Sequence, residues 1–121
     1  MQLISRKLME MGVDVNGVLN RLGGNESLYL NICNKFIKDP NYQIFKDALS
    51  VYDYQSAELR IHTLKGVAAN LGFVRLELIS GSLLQDLREK QISSLRQDVS
   101  CLSEEYHRII NILSENQHTI V

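Results

Sequence analysis

The chain of 121 residues has one proline, no tryptophan and two cysteines, and each shortage narrows what it can be. With Pro40 the sole proline, helices can run uninterrupted almost everywhere else. Cys33 and Cys101 lie far apart and form no C-x-x-C spacing. The two thiols need not pair, and buried free thiols in a reducing cytoplasm are expected. No apolar run approaches the roughly 18 residues needed to span a bilayer, and the opening MQLISRKLMEMG sets polar and apolar residues at helical spacing without a signal-peptide core. A soluble, cytoplasmic protein without membrane insertion is the expectation. Neither sign of charge is in excess: 13 Lys plus Arg stand against 14 Asp plus Glu, a formal net charge of -1. Without a basic field, nucleic acid is not an expected partner. Strict alternation of apolar with polar residues, the mark of a half-buried strand, is also scarce.

What remains is a helical pattern. Hydrophobic residues make up 45% of the chain, enough to build one core in one domain over residues 1–121. Leu3, Ile4, Leu8 and Met11 share one side of a first helix that Gly12 ends. Asp14 can cap a short helix carrying Val15, Val18, Leu19 and Leu22, and Gly23 with Gly24 supplies a left-handed stop. Asn25 caps a helix to about Lys38, with Leu28, Ile32, Cys33, Phe36 and Ile37 recurring at threes and fours. Pro40 suits the first turn of another, which carries Tyr42, Ile44, Phe45, Ala48, Leu49 and Tyr52. A helix from about Ser56 to Leu71 closes at Gly72. The next reaches about Lys90, with Leu76, Ile79, Leu83 and Leu87 on one stripe. Ser80, Gly81 and Ser82 sit in its middle, where small side chains permit close approach of a neighbouring helix. The last, about Ile92 to Ser114, carries a seam of Ile92, Leu95, Val99, Leu102, Tyr106, Ile109 and Leu113.

A two-stranded coiled coil could use that seam, but other helices with stripes of their own are available to cover it. Short connections make sequential helices antiparallel neighbours. The expected fold is all-α: an antiparallel up-and-down four-helix bundle with one or two short additional helices at the amino end, monomeric in solution.

The stretch IHTLKGVAANLG, Ile61 to Gly72, is where chemistry is expected. Glycine inside a helix costs about 1 kcal/mol relative to alanine, so Gly66 needs a reason. At about 100° per residue with His62 at zero, Ala57, Ile61, Leu64, Ala68 and Leu71 cluster at roughly 180 to 260° and form the core stripe. Lys65, Gly66 and Ala69 fall at roughly 300, 40 and 340°, around the histidine and away from the core. His62 is therefore expected to face solvent, flanked by one cation and two residues with little or no side chain. A flat approach beside an imidazole is useful when something large must come close to it.

These residues resemble the signature of the histidine phosphotransfer domains of multistep two-component signalling, a helix reading roughly H-x-x-K-G followed by small residues and a Leu-Gly close. Here it reads His62, Thr63, Leu64, Lys65, Gly66, Val67, Ala68, Ala69, Asn70, Leu71, Gly72. The similarity extends more loosely over about Val15 to Lys90. The resemblance implies a four-helix bundle that takes a phosphoryl group from the aspartyl phosphate of a receiver domain, free or in a hybrid sensor histidine kinase, and passes it to another receiver. Carried over by position, His62 is the phosphoacceptor and Lys65 the cation that neutralises phosphate charge. Leu59, Gly66, Ala69, Asn70 and Phe73 are candidates for the face on which the receiver docks, Leu59 and Phe73 at roughly 60 and 20° on the same rotation. No cofactor is implied for this chain, because the receiver supplies the aspartate and the Mg²⁺. A phosphoryl carrier without kinase activity of its own is expected.

Other chemistries find less support. Glu104 and His107 have the i, i+3 spacing of di-metal carboxylate bundles, but such sites need two of these motifs and two more glutamates, and neither His62 nor His118 has a glutamate three residues before it. His107 is expected at the bundle edge and His118 in a frayed tail. No G-x-x-x-x-G-K-[ST] loop is present for a nucleotide. The alternative of another class is a helical adaptor that binds a signalling partner through the same face without being phosphorylated.

Overall fold

The structure is a computed structural model and describes residues 1–118, with side chains through Glu115; the His118 side chain lies outside the described residues. Seven helices make up the described chain: α1 (Leu3–Glu10), α2 (Val15–Arg21), α3 (Glu26–Phe36), α4 (Asn41–Ser50), α5 (Tyr54–Leu71), α6 (Val74–Arg88) and α7 (Ile92–His118). Their starts follow local chemistry. The carboxylate of Asp14 accepts from the Gly17 amide, Asn25 from Leu28 and Asp53 from Ser56, each satisfying an amide that the first helical turn leaves without a carbonyl.

Helices α4 to α7 form the antiparallel bundle, and pairs across each seam show the direction. Arg60 of α5 donates to Asn41 of α4 at 3.4 Å, Glu58 at the start of α5 pairs with Arg88 at the end of α6 at 3.0 Å, and Arg75 early in α6 reaches Glu105 of α7 at 3.4 Å. Between α4 and α7, Tyr42 stacks on Tyr106 with ring centroids 3.8 Å apart and donates its hydroxyl to Ser103 at 3.0 Å. Ala57, Ile61, Leu64, Ala68 and Leu71 of α5 are buried as their spacing predicts. They meet Phe45 of α4, Leu76 and Leu83 of α6, and Leu102, Ile109 and Leu113 of α7 in one core. Burying a leucine or isoleucine stabilises the fold by roughly 1.5–3 kcal/mol each, so this stripe holds α5 in a single rotation about its axis.

Three short helices precede the bundle, where one or two were expected. Helix α1 lies on α7, buries Ile4 and Leu8 and pairs Lys7 with Glu115 at 2.8 Å. The α7 seam is thus covered within the chain, except at Ile92, which is 60% exposed. Helices α2 and α3 converge on the carboxyl end of α5. The Tyr29 hydroxyl donates to the Leu71 carbonyl at 3.1 Å, Arg21 donates to the Asn70 carbonyl at 3.3 Å, and the Asp14 amide donates to the Gly72 carbonyl at 2.8 Å. Carbonyls that a helix end leaves open are therefore closed by the amino-terminal helices.

Three expectations are corrected by exposure, and Leu28 on α3 is one of them, at 41% exposed. Leu3 faces outward from α1 while Ser5 is buried, and Tyr52 lies outside α4 with a φ of 59° and is exposed. Cys33 is a buried free thiol as expected, whereas the free thiol of Cys101 is half-buried on α7. Among the described residues no helix is long and apolar enough to cross a membrane.

Candidate functional site

The imidazole of His62 is exposed on α5, opposite the buried stripe. Beside it lies a shallow hollow lined by Gln55, Ser56, Glu58, Leu59 and Arg88. The Glu58–Arg88 ion pair forms one wall, so the hollow is floored by both signs of charge. Leu59 stands at its edge and is 61% exposed. One turn further along α5, Thr63 donates its hydroxyl to the Leu59 carbonyl at 3.1 Å, which keeps that polar side chain on its own helix.

Lys65 is half-buried, and among the described residues no carboxylate lies within ion-pair distance of its ammonium. Its side chain runs to α6. A Cβ placed on Gly81 would lie 3.6 Å from Cε of Lys65 and 3.9 Å from its Nζ. Gly66 is different: nothing lies within 4 Å of where its Cβ would be, and the position is exposed. Ala69 is half-buried. Asn70 is exposed, and its carbonyl is held by Arg21. His62, Lys65, Gly66 and Leu59 are therefore brought to one outward face.

Phe73 is not part of that face. It is 1% exposed and packs edge-on against Phe36 of α3, centroids 5.2 Å apart. The rotation that places it near His62 holds only while the helix continues, and α5 ends at Leu71. Gly72, at φ 77°, turns the chain inward, and Phe73 enters the core.

The pair Glu58–Arg88 and the partner of Lys65, Gly81, were not singled out from the sequence as site residues. A usable signal was present. Only Gly72 and Phe73 separate α5 from α6, so in an antiparallel hairpin residues at nearly equal distances from that connection come near each other, among them 65 with 81 and 58 with 88.

Elsewhere, His107 Nδ1 donates to the Ser103 carbonyl at 2.7 Å, and its ring meets Tyr42 and Tyr106 edge-on. Among the described residues no group of three or more His, Cys, Asp or Glu side chains converges as a metal site. At the end of the bundle where α6 meets α7, the Asp98 carboxyl, together with burial, pushes Asp86 up to about 6. Oδ2 of Asp86 is buried without a hydrogen-bond partner among the described residues, so the ionised carboxylate is disfavoured there.

The profile of the Hpt domain family matches residues 40–112. No curated protein and no solved structure matches the chain. The matched segment leaves out α1 to α3, although the sequence resemblance includes α2 and α3, and takes in most of α7, which lies beyond that resemblance. Since the match covers more than half of the chain and contains the whole helix that presents His62, the protein belongs to the Hpt, or histidine phosphotransfer, domain family.

Proposed function

We propose that His62 is the phosphoacceptor and that the protein relays phosphoryl groups between receiver domains. In the forward step an unprotonated ring nitrogen of His62 forms the N–P bond as the aspartyl P–O bond of the receiver breaks, and the aspartate leaves with the electron pair. The reverse step returns the group to the same or another receiver. Lys65, one turn away and without a carboxylate partner among the described residues, meets the phosphate as a point cation. The Mg²⁺ and the closing surface belong to the receiver, and this chain contributes a rigid post for one nucleophile. It has no kinase activity of its own and acts as a monomer in the cytoplasm.

The observation that carries this reading is the empty space at Gly66. A glycine in mid-helix costs about 1 kcal/mol, yet, its own helix backbone aside, no described atom lies within 4 Å of where its Cβ would be. The demand for a missing side chain therefore comes from outside the chain, beside an exposed histidine, where a partner surface must close. Leu59, Ala69 and Asn70 complete the face it would contact.

The test is transfer from a phosphorylated receiver with Mg²⁺ to the purified protein, following acid-labile phosphate. Label on the wild type and none on His62→Gln is expected. No label from any receiver in a broad panel would turn the reading toward a helical adaptor that uses the same face without chemistry.

A further inference from the structure

Gly81 stands in the middle of α6 with no positive φ, so its backbone conformation does not require glycine. Around the position its Cβ would take, the three nearest heavy atoms all belong to Lys65: Cε at 3.6 Å, Nζ at 3.9 Å and Cδ at 4.0 Å. What residue 81 accommodates is thus the outer half of one lysine side chain.

We propose that Gly81 is a positioning residue: having no side chain, it leaves a trough on α6 in which the alkyl stem of Lys65 lies, holding the ammonium in the α5–α6 groove one turn from His62. A lysine has four flexible bonds and, when solvated, spreads its charge over many rotamers. Packing the stem against a helix backbone selects few of these. Because among the described residues no acid lies within ion-pair distance of the ammonium, its orientation depends on this packing and not on an ion pair. A charge fixed before the phosphoryl group arrives stabilises transfer more than one that must first be ordered. The inference rests on the proposed role of Lys65 in phosphotransfer.

The distances grade the substitutions. A methyl group at 81 makes ordinary van der Waals contact with the stem, whereas a longer or branched side chain occupies its path and displaces it. Single-turnover transfer from a phosphorylated receiver would be measured for wild type, Gly81→Ala, Gly81→Leu, Lys65→Ala and the double variant, each with its melting temperature. Gly81→Ala should stay within about twofold of wild type, and Gly81→Leu should slow transfer by about tenfold. Adding Gly81→Leu to Lys65→Ala should then slow it no further, because the residue it acts through is gone. Transfer by Gly81→Leu at the wild-type rate, or a double variant showing the full product of both single effects, would overturn the proposal.

A second readout does not depend on phosphate. With ¹³C-labelled lysine, the two Hε protons of Lys65 should have distinct shifts in wild type and Gly81→Ala, and merge in Gly81→Leu. Identical spectra in all three would likewise refute the trough. Should the leucine variant fail to fold, Gly81→Thr takes its place in both measurements. If wild type accepts no phosphate, the His62 reading fails, while the lysine spectra still decide whether Gly81 positions Lys65.

Discussion

Gly66 and Gly72 stand in one short motif and answer to opposite demands. At Gly66 the helix is regular and the surroundings are empty, so a side chain costs the isolated chain nothing. At Gly72 the φ of 77° disfavours any L side chain, and a Cβ would sit 2.8 Å from the Asp14 carbonyl oxygen and 2.9 Å from Cγ2 of Val18. Two predictions separate them. Gly66→Leu keeps or slightly raises the melting temperature, since leucine exceeds glycine in helix propensity by roughly 0.5–1 kcal/mol, but loses phosphoryl exchange with the receiver. Gly72→Ala destabilises by about 2 kcal/mol or more in chemical denaturation, from left-handed strain plus a backbone contact that must give. Transfer by Gly66→Leu at the wild-type rate would remove the explanation offered for that glycine. For His62→Gln, an exposed side chain opposite the core predicts a stability change within about 0.5 kcal/mol alongside complete loss of acceptance; a collapse in melting temperature would place the residue in the core.

At the scale of the helix, α5 is held at both ends by side chains whose reach differs. Its start is local: Asp53 accepts from the amide and the hydroxyl of Ser56, a cap readable within a few residues. Its end is not local, because the Leu71 and Asn70 carbonyls are closed by Tyr29 and Arg21 from α3 and α2. Burial pushes the Tyr29 phenol far above its ordinary range, which keeps it a hydrogen-bond donor at every pH the protein meets. Tyr29→Phe preserves the ring but leaves a buried carbonyl unmet, so a loss of about 1–3 kcal/mol is expected in urea unfolding. A variant as stable as wild type would show that water or another donor serves Leu71. The same element explains why Phe73 misleads a helical wheel: periodicity describes where side chains go while a helix lasts, and a glycine stop changes the rule at the residue where the extrapolation is made.

Across the whole molecule, the α6–α7 corner brings two carboxyls together, and this sets a pH dependence. The folded-state Asp86 titrates near 6, above the 3.8 of a free aspartate. Its protonated form therefore favours the folded state, an advantage present below about pH 4 and lost as pH rises through about 6. Asp53 has the opposite sign. The Ser56 hydroxyl and amide hold its carboxyl below 3.8, so its contribution is present above that value and is lost as pH falls below it. Asp86→Asn should accordingly raise stability near pH 7.5, where wild type has two facing charges, and change it little near pH 4.5. Equal effects at both pH values in urea titrations would show that Asp86 is not raised in the folded state.

The sequence alone determined the all-helical class, most helix boundaries to within a few residues, the buried stripe of α5 and the outward face with His62, Lys65 and Gly66. All of these follow from contacts between residues three or four apart on one helix, so a 3.6-residue period read along the chain suffices. Tertiary structure decided the rest: that Phe73 is covered by Phe36, that α2 and α3 cap the end of α5, and which of the side chains that the short α5–α6 connection brings near each other make contact, Lys65 with Gly81 and Arg88 with Glu58. Each depends on the register between separate helices, which short connections and the packing of whole faces set together, and no spacing within a single helix encodes it.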